Sequence, residues 1–435
     1  MKKLLCFLLL AGAALSLPAK KTLAQAVASA WAIDPALDSQ KLEEEAAAIA
    51  GETALRQKYF SVQFGGGYRY SSDKVQVRAS DFPFSLGTSV PPGTILLSAP
   101  SDSVDLKLSL LQPLYSGGLL SNAVKMEAAR GAAEKDLTRL KRIELAGRVK
   151  ASFFTHLLYS RKRDALNFLL ARLDLHLQKV TNLYAEQLVK RSDLLETRAR
   201  ADEARLSLQD IEQLIASEAV QFKSLSGINP QEIDFQPGAE TADFAASWEQ
   251  LLAGHPLLRS LDERARLVRL QRRSVAAAYL PQASAFAEMH YGRPGQNFFM
   301  NRWTFYLQGG VSVSLPVFNW NRRSRDLELV DIAGRKLENQ RAAFLRESEK
   351  SLRQLYLNME NIGRKLVLLE GLADNAAEDV RLKEQLYEEN QIDHTDLLAA
   401  MSSQERYLAE HGEALAQIEM LKAAIDTLVG RTEEE

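Results

Sequence analysis

The chain has 435 residues, of which 46% are hydrophobic and 25% charged, and its formal net charge is −2. This composition is ordinary for globular domains and excludes collagen-like or extensively disordered chains. The near-neutral charge provides no electrostatic attraction for nucleic acid, so we predict no nucleic-acid partner. The single cysteine, Cys6, excludes a disulfide framework. None of the 13 prolines lies between Leu114 and Asn229 or after Pro316, which indicates long uninterrupted helices.

The N-terminus has the layout of a secretory signal peptide. Lys2 and Lys3 precede an apolar stretch at residues 4–17, which is too short to span a bilayer as a helix. The alternative is an N-terminal helix or strand of the core. We predict a signal peptide at residues 1–19, cleaved after Ser16 or after Ala19, and export to a bacterial envelope. No later window offers about 18 consecutive apolar residues, which argues against a helical membrane protein.

The remaining chain contains an internal duplication. Pro113 corresponds to Pro316, and both lie in matching sequence 203 positions apart. Upstream, Tyr70 corresponds to Tyr291 at a spacing of 221, so the first copy carries 18 additional residues, which surface loops tolerate. We therefore predict repeat 1 at residues 20–227, a linker at residues 228–247 and repeat 2 at residues 248–435.

Each repeat is expected to begin with two helices followed by a β-hairpin. Asp34 and Pro35 have the form of an N-cap and the first residue of the second helix, and Pro256 takes the corresponding place in repeat 2. Four later segments alternate with a period of two between apolar and polar residues, which predicts strands of about ten residues. We predict the two hairpins at about residues 59–112 and 280–315.

The strand pattern is typical of a transmembrane β-barrel. Strands of about ten residues, tilted near 45°, cross the hydrocarbon of a bilayer with apolar side chains outward and polar side chains inward. Four strands cannot close a spanning barrel, and an open edge in lipid is forbidden, so copies must associate: a dimer gives eight strands and a trimer twelve. The alternative is an ordinary half-buried sheet of a soluble protein. Aromatic residues near the strand ends are candidates for interfacial girdles: Tyr59, Phe60, Phe82, Phe84, Tyr279, Phe298, Phe299 and Trp303.

A long proline-free tract follows each hairpin. As a helix, a tract of some 70 residues would be about 100 Å long. We predict long helical pairs at residues 118–227 and 320–430. Apolar residues spaced alternately by four and three predict coiled-coil-like packing; in repeat 1 they are Leu166, Leu170, Leu173, Leu177, Val180 and Tyr184.

Each helical pair is expected to turn back at a tip. The breaks are predicted near residues 187–192 and 390–395, where Ser192 and Thr395 have the character of N-caps. The returning helices are expected to end at the C-cap glycines Gly227 and Gly430.

Short motifs recur at the start of the mature chain, at the strand-to-helix junctions and at the tips. They are Thr22-Leu23-Ala24-Gln25-Ala26-Val27, Asp34-Pro35-Ala36-Leu37, Gln112-Pro113-Leu114-Tyr115-Ser116-Gly117-Gly118, Leu315-Pro316-Val317-Phe318-Asn319, Ser192-Asp193-Leu194-Leu195 and Thr395-Asp396-Leu397-Leu398. Each motif is loose, but their order, duplication and spacing together are specific. Over essentially the whole mature chain, this pattern resembles the TolC-like outer-membrane efflux proteins.

The resemblance implies a mainly α fold with a transmembrane β-barrel contribution, in which a helix–β-hairpin–long-helix repeat is duplicated. It implies four strands per chain and a homotrimer, whose 12-stranded barrel in the outer-membrane lipid continues as an α-helical barrel in the periplasm. The implied function is that of a passive exit duct of a tripartite efflux or type I secretion system. Its implied partners are a periplasmic adaptor (membrane fusion) protein and an inner-membrane pump that supplies the energy.

The resemblance assigns a gate and constriction at the periplasmic tip to Ser192, Asp193, Tyr387 and Asp396. Asp193 and Tyr387 match linking positions of the family and Ser192 replaces a linking threonine, whereas the expected arginine partner is Ile392. Three Asp396 side chains converging on an axis would attract cations. The alternative is that Asp193 and Asp396 are only first-turn helix acids.

Further positions follow from the same resemblance. The second constriction position holds Ala399 instead of aspartate. The tip turns and adaptor contacts are assigned to Gln187, Leu188, Asn390 and Gln391, with Gln187 and Asn390 in place of the family's glycines. The strand-to-helix junctions are assigned to Pro113 and Pro316.

Other chemistry is not indicated by the sequence. The six histidines are scattered, and no metalloprotease, phosphate-loop or nucleophile-elbow motif occurs. His394 with Asp393 and Asp396 could bind a metal, but a coincidence on the surface explains this cluster better. We predict no enzyme activity, no cofactor and no metal site. The alternative functions are a soluble periplasmic coiled-coil structural or adaptor protein, and a secreted enzyme, which the missing catalytic motifs disfavour. The exported substrate, whether drug, metal or protein, is left open.

Overall fold

A computed structural model describes residues 20–83, 90–91, 93–236, 242–389 and 391–431. The predicted signal peptide at residues 1–19, the girdle candidate Phe84 and the tip residue Asn390 lie outside these described residues.

The described residues form eight α-helices and six β-strands. The helices are α1 (Leu23–Ile33), α2 (Pro35–Arg56), α3 (Leu119–Ala185), α4 (Arg191–Ser226), α5 (Phe244–Gly254), α6 (Pro256–Ala277), α7 (Arg322–Glu388) and α8 (His394–Val429). The strands are β1 (Ser61–Tyr70), β2 (Gln76–Arg78), β3 (Ile95–Ser98), β4 (Asp102–Tyr115), β5 (Gln282–Arg293) and β6 (Thr304–Ser314). None of these helices has both the length and the hydropathy needed to cross a bilayer.

The element lengths confirm the duplicated fold. α1 and α5 have 11 residues each, and α2 and α6 have 22. α3 and α7 have 67 residues each, and α4 and α8 have 36. A helix of 67 residues is about 100 Å long, as the proline-free tracts predicted. Corresponding helices begin 221 positions apart before the strands and 203 apart after them.

The additional residues of repeat 1 form more than the plain loop that the sequence predicted. β2 pairs antiparallel with β3, and a 3-10 turn at Ala79–Asp81 follows β2. The Arg78 N–H donates to Asp81 Oδ2 at 2.7 Å and caps this turn. Such short strands were missed because three or four residues are too few to display a period of two.

Three of the predicted helix ends are confirmed by their hydrogen bonds or backbone angles. The Leu37 N–H donates to Asp34 Oδ1 at 2.9 Å, and α2 begins at Pro35. Gly227 and Gly430 take the left-handed backbone after α4 and α8, with φ of +71° and +88°.

The predicted N-caps of the returning helices were wrong. The N-cap of α4 is Lys190 and that of α8 is Asp393, so Ser192 and Thr395 lie within the first turns. At α4 the Asp193 side chain accepts from the Lys190 N–H at 3.3 Å. An acid in the first turn of α4 therefore accepts from the N–H group of the N-cap residue.

The chain divides into two compact units. The first comprises Met1–Lys41, Asp136–Arg259 and Ala342–Glu435, and the second comprises Leu42–Lys135 and Ser260–Arg341. The turns that follow α3 and α7 belong to the first unit, and the strands belong to the second.

In the second unit, four strands form one antiparallel sheet in the order β1-β4-β5-β6. Among the described residues, β1 and β6 each pair on one side only, so both are edges. The register aligns Phe64, Leu108, Met289 and Leu307 across the four strands. Because successive side chains alternate between the faces of a strand, this register separates an apolar face from a polar one.

The connection from each strand to the long helix that follows it contains a residue with a left-handed backbone. Gly117, between β4 and α3, has φ of +59°, and its counterpart in repeat 2, Trp320, has φ of +46°. A Cβ on Gly117 would lie 2.9 Å from Leu280 Cβ and 3.0 Å from the Ala277 carbonyl oxygen. This turn therefore requires glycine for space as well as for conformation.

Candidate functional site

One face of the four-stranded sheet is apolar and exposed to its surroundings in the single chain. Phe64 of β1 is 73% exposed and Leu307 of β6 is 68% exposed. A continuous apolar surface of this size is unfavourable in water and indicates that lipid or another protein covers it. Its other members are Val62, Tyr68, Leu106, Leu110, Tyr291, Phe305, Val311 and Val313.

The opposite face of the same sheet carries a charged network. Lys107 Nζ donates to Glu288 Oε1 at 3.0 Å, and Gln308 Nε2 donates to Glu288 Oε2 at 2.6 Å. The buried His290 ring has Nδ1 3.1 Å from both carboxylate oxygens of Asp105. Apolar residues on one face and interlinked charges on the other are the arrangement of a wall between lipid and water.

The two predicted junction prolines lie in different settings. Pro113 is inside β4, opposite Ser284, immediately before a shift of the register between Pro113 and Tyr115. Such an irregularity is where a strand tolerates a residue without an N–H group. Pro316 follows the end of β6 and precedes α7.

The predicted tip residues that the structure describes are exposed. Gln187 has a left-handed backbone with φ of +63°, and Leu188 is 66% exposed. Their N–H groups donate to the carbonyl groups of Tyr184 and Leu183, respectively. Gln391 is also exposed, in the corresponding turn before α8.

Ser192 and Asp193 contact each other in the first turn of α4. Ser192 Oγ donates to Asp193 Oδ1 at 3.0 Å, while the Lys190 N–H donates to Oδ2. Both carboxylate oxygens are therefore engaged locally. Within the described residues, no hydrogen bond joins Asp193 to Tyr387.

Tyr387, near the end of α7, packs against two histidine rings. Its ring centroid lies 5.3 Å from that of His176 and 5.8 Å from that of His394. Lys179 Nζ lies 5.9 Å from the Tyr387 ring centroid. Burial and, secondarily, the Asp193 carboxylate raise the pKa of the Tyr387 phenol, so this side chain is neutral at physiological pH.

Two predicted gate positions near the start of α8, Asp396 and Ile392, lie in different environments. Asp396 is exposed in the first turn. Ile392, where the resemblance implies arginine, packs against an apolar cluster that includes Leu397 and Leu398. The contact at this position is therefore apolar.

Two buried histidines join three helices beside Tyr387. His176 Nε2 of α3 lies 3.1 Å from His394 Nδ1 of α8, and His394 Nε2 lies 2.8 Å from Thr197 Oγ1 of α4. The Thr197 hydroxyl donates to the Asp193 carbonyl oxygen at 2.8 Å. The exposed fractions of His176, His394 and Thr197 are 6%, 7% and 0%.

This cluster was not predicted from the sequence, and the prediction that His394 lies on the surface was wrong. In α3, His176 lies between the buried residues Leu173 and Val180, three positions after the first and four before the second. Thr197 lies four positions before the buried Ala201 of α4. The 3–4 spacing of core residues was the signal that could have found them, because it does not depend on the residue being apolar.

The described residues contain no group of three or more His, Cys, Asp or Glu side chains arranged to hold a metal ion. Both ring nitrogens of His394 contact protein atoms instead.

The comparisons with known proteins agree with this geometry. Residues 248–431 match the model of the outer membrane efflux protein family. The fold is similar to that of a membrane protein from Pseudomonas aeruginosa, with a TM-score of 0.76 and 15% identity over 94% of this chain and 90% of that one. Residues 248–431 are therefore similar to the outer membrane efflux proteins, and the chain has the fold of the solved outer-membrane channels.

Two further solved structures share the fold of this chain. CusC has a TM-score of 0.77 and 13% identity, covering 94% of this chain and 92% of its own. VceC from Vibrio cholerae has a TM-score of 0.75 and 14% identity, covering 94% of this chain and 96% of its own. None of the curated proteins matches the chain.

The similarity to solved structures confirms the predicted fold class. The matching segment, residues 248–431, is described as an outer membrane efflux protein.

Proposed function

We propose that three copies of the chain close a barrel of twelve strands in the outer membrane. The observation that carries this proposal is the exposed apolar face of a sheet with two unpaired edges. Unpaired backbone groups cost several kcal/mol each in lipid, so β1 of one copy must pair with β6 of the next. Twelve strands leave a lumen, whereas eight are filled by side chains.

The two faces of the sheet determine which side of the proposed barrel contacts lipid and which contacts water. Phe64 and Leu307 would contact lipid, and the network of Lys107, Glu288 and His290 would line the water-filled interior. Exported molecules would therefore pass along a charged surface that is held in place by its own hydrogen bonds.

The tips of the helical pairs form the proposed periplasmic gate. Asp396 is exposed in the first turn of α8, so three copies around one axis can present a ring of carboxylates. Such a ring concentrates cations at a constriction. Opening would then require the tip of α7 and α8 to move relative to that of α3 and α4.

The proposed partners are a periplasmic adaptor protein and an inner-membrane pump. The exposed Gln187, Leu188 and Gln391 at the tips are the proposed adaptor contacts. The duct is passive, with no catalytic activity and no cofactor, and the pump supplies both the energy and the choice of substrate.

Cell fractionation followed by gel electrophoresis without heating tests the proposed assembly. We expect the protein in the outer-membrane fraction, as a band of trimer mass that converts to monomer after boiling. A monomer in the soluble periplasmic fraction would contradict both the barrel and the trimer.

A further inference from the structure

The proposed gate lacks the arginine link that its family resemblance leads one to expect, because Ile392 occupies that position in an apolar contact. A different polar connection occurs at the same tip. The described hydrogen bonds run without interruption from α3 through α8 to α4.

We propose that the chain of hydrogen bonds from His176 through His394 and Thr197 to the Asp193 carbonyl is the link that positions the gate. It fixes the start of α8 against α3 and α4 within one protomer. The inference rests on the proposed gating at the tip, and it makes these three side chains positioning residues of that gate.

The direction of every hydrogen bond in this link follows from one acceptor. The Asp193 carbonyl only accepts, so the single proton of the Thr197 hydroxyl points to it. Thr197 Oγ1 must then accept from His394 Nε2–H. This tautomer leaves His394 Nδ1 as an acceptor, which receives the proton of His176 Nε2–H. Each bond then has one donor and one acceptor, as buried polar groups require.

The surroundings keep both imidazoles neutral, as these bonds demand. Burial, then His394 and Lys179, lower the pKa of His176 to about 4. Burial also lowers the pKa of His394, although the carboxylates of Asp193 and Glu196 act in the opposite direction. Tyr387 of α7 faces both rings as a neutral phenol. At neutral pH the link is therefore intact.

Acid is expected to open the link. A proton on His394 Nδ1 would turn the acceptor of the His176 bond into a second donor, and the two would repel. Because the folded-state pKa values lie below the ordinary value of 6.5, the unfolded or separated helices bind protons first. The stability contributed by the link is thus complete above pH 6.5 and declines as the pH falls from there towards about 4.

The duplication argues that these residues do more than fill a core. The counterparts of His176, Thr197 and His394 in the other repeat are Asp379, Ala400 and Arg191, so the link is built once per chain. Apolar residues would pack in such seams at no electrostatic cost. Polar residues at core positions that bond across helices instead select one register and one arrangement of the helices.

Channel recordings of purified trimers in planar bilayers test the link. Thr197→Val keeps the shape of the side chain but leaves His394 Nε2–H without a partner. We expect the ratio of open to closed channels to rise about 5- to 30-fold, as loss of one buried hydrogen bond changes an equilibrium. Thr197→Ser retains the hydroxyl and should behave as the wild type does.

His255→Asn is the matched control for loss of a buried histidine. His255 is also buried, and burial lowers its pKa to about 4. Its ring packs on Phe344, and its Nδ1 accepts from the Leu257 N–H at the start of α6, where asparagine can replace it. The control should leave the open-to-closed ratio unchanged.

Acidification provides a second readout that simple loss of packing would not affect. Wild-type channels should open more as the pH falls from 6.5 towards 4, whereas Thr197→Val channels should show a much smaller response. Wild-type channels whose open ratio equals that of Thr197→Val at pH 7.5 would overturn the link. An open ratio of His255→Asn channels equal to that of Thr197→Val channels would overturn it too. Loss of any buried side chain would then open the channel through general destabilisation. Wild-type protein that forms no channels would instead reject the proposed duct itself.

Discussion

At the scale of single residues, Gln187 carries a backbone conformation that its side chain disfavours. Its φ of +63° lies in the left-handed region, where a residue with a Cβ is strained by about 1 to 2 kcal/mol. Resemblance to the efflux family assigned a glycine to this position, and the exposed turn after α3 shows why. A strained turn at a tip is one of the places where a structure can store energy for movement.

Gln187→Gly is therefore expected to stabilise the folded protein. The left-handed strain disappears while no contact of a buried side chain is lost, so the free energy of unfolding should rise by about 1 kcal/mol. Thermal unfolding of the purified protein, followed through its helical circular dichroism, measures this change. Gln178→Gly, at an exposed position within α3, is the control and should lose about 1 kcal/mol. Equal losses in both variants would show that the turn is not strained.

At the scale of elements, each strand of the four-stranded sheet has one apolar face and one polar face. In β1, Phe64 belongs to the apolar face and its neighbour Gln63 to the polar face, opposite Ser109 of β4. The alternation was visible in the sequence, but an ordinary half-buried sheet gives the same alternation. The distinction came from burial, because Phe64 and its partners across the sheet stay exposed among the described residues.

Phe64→Lys should impair assembly, whereas Gln63→Lys should not. A lysine on the lipid face costs about 2 to 4 kcal/mol near the middle of the bilayer, and a lysine facing water within the barrel costs little. The amount of heat-modifiable trimer in the outer-membrane fraction measures both variants under identical expression. If Gln63→Lys were the more damaging of the two, the proposed orientation of the sheet would be reversed.

At the scale of the whole molecule, the trimer would turn single acidic residues into rings. Asp396 is exposed in one chain, and only the symmetry of three copies can bring its carboxylates close to one axis. The chain alone therefore leaves two interpretations of Asp396, a first-turn helix acid and part of a constriction.

Asp396→Asn decides between them. Removal of three negative charges from a constriction should reduce the preference for cations, seen as a smaller reversal potential across a salt gradient in planar bilayers. Asp374→Asn, an exposed acid along α7, is the matched control and should leave the reversal potential unchanged. An unchanged potential in Asp396→Asn would place this residue outside the lumen.

The duplicated organisation of the molecule is readable in its amino-acid sequence. Repeated motifs at constant spacing, prolines confined to a few segments and glycines at two helix ends predicted helices of nearly the observed lengths. Local chemistry determines such features, since a proline interrupts a helix and a glycine accepts a left-handed residue wherever they occur. The N-caps were misplaced by two residues: they are Lys190, whose N–H donates to the Asp193 side chain, and Asp393.

The cluster of His176, Thr197 and His394 shows what the tertiary structure alone decided. These residues lie on three helices, and nothing in the sequence states that they meet. Their meeting depends on the register in which the long helices pack, which is set by all the buried side chains of the seam together. By itself, the sequence determined the repeated elements and the alternation of the strands. Packing decided which polar residues are buried and which apolar face remains open, because both depend on distances between parts of the chain that are far apart in sequence.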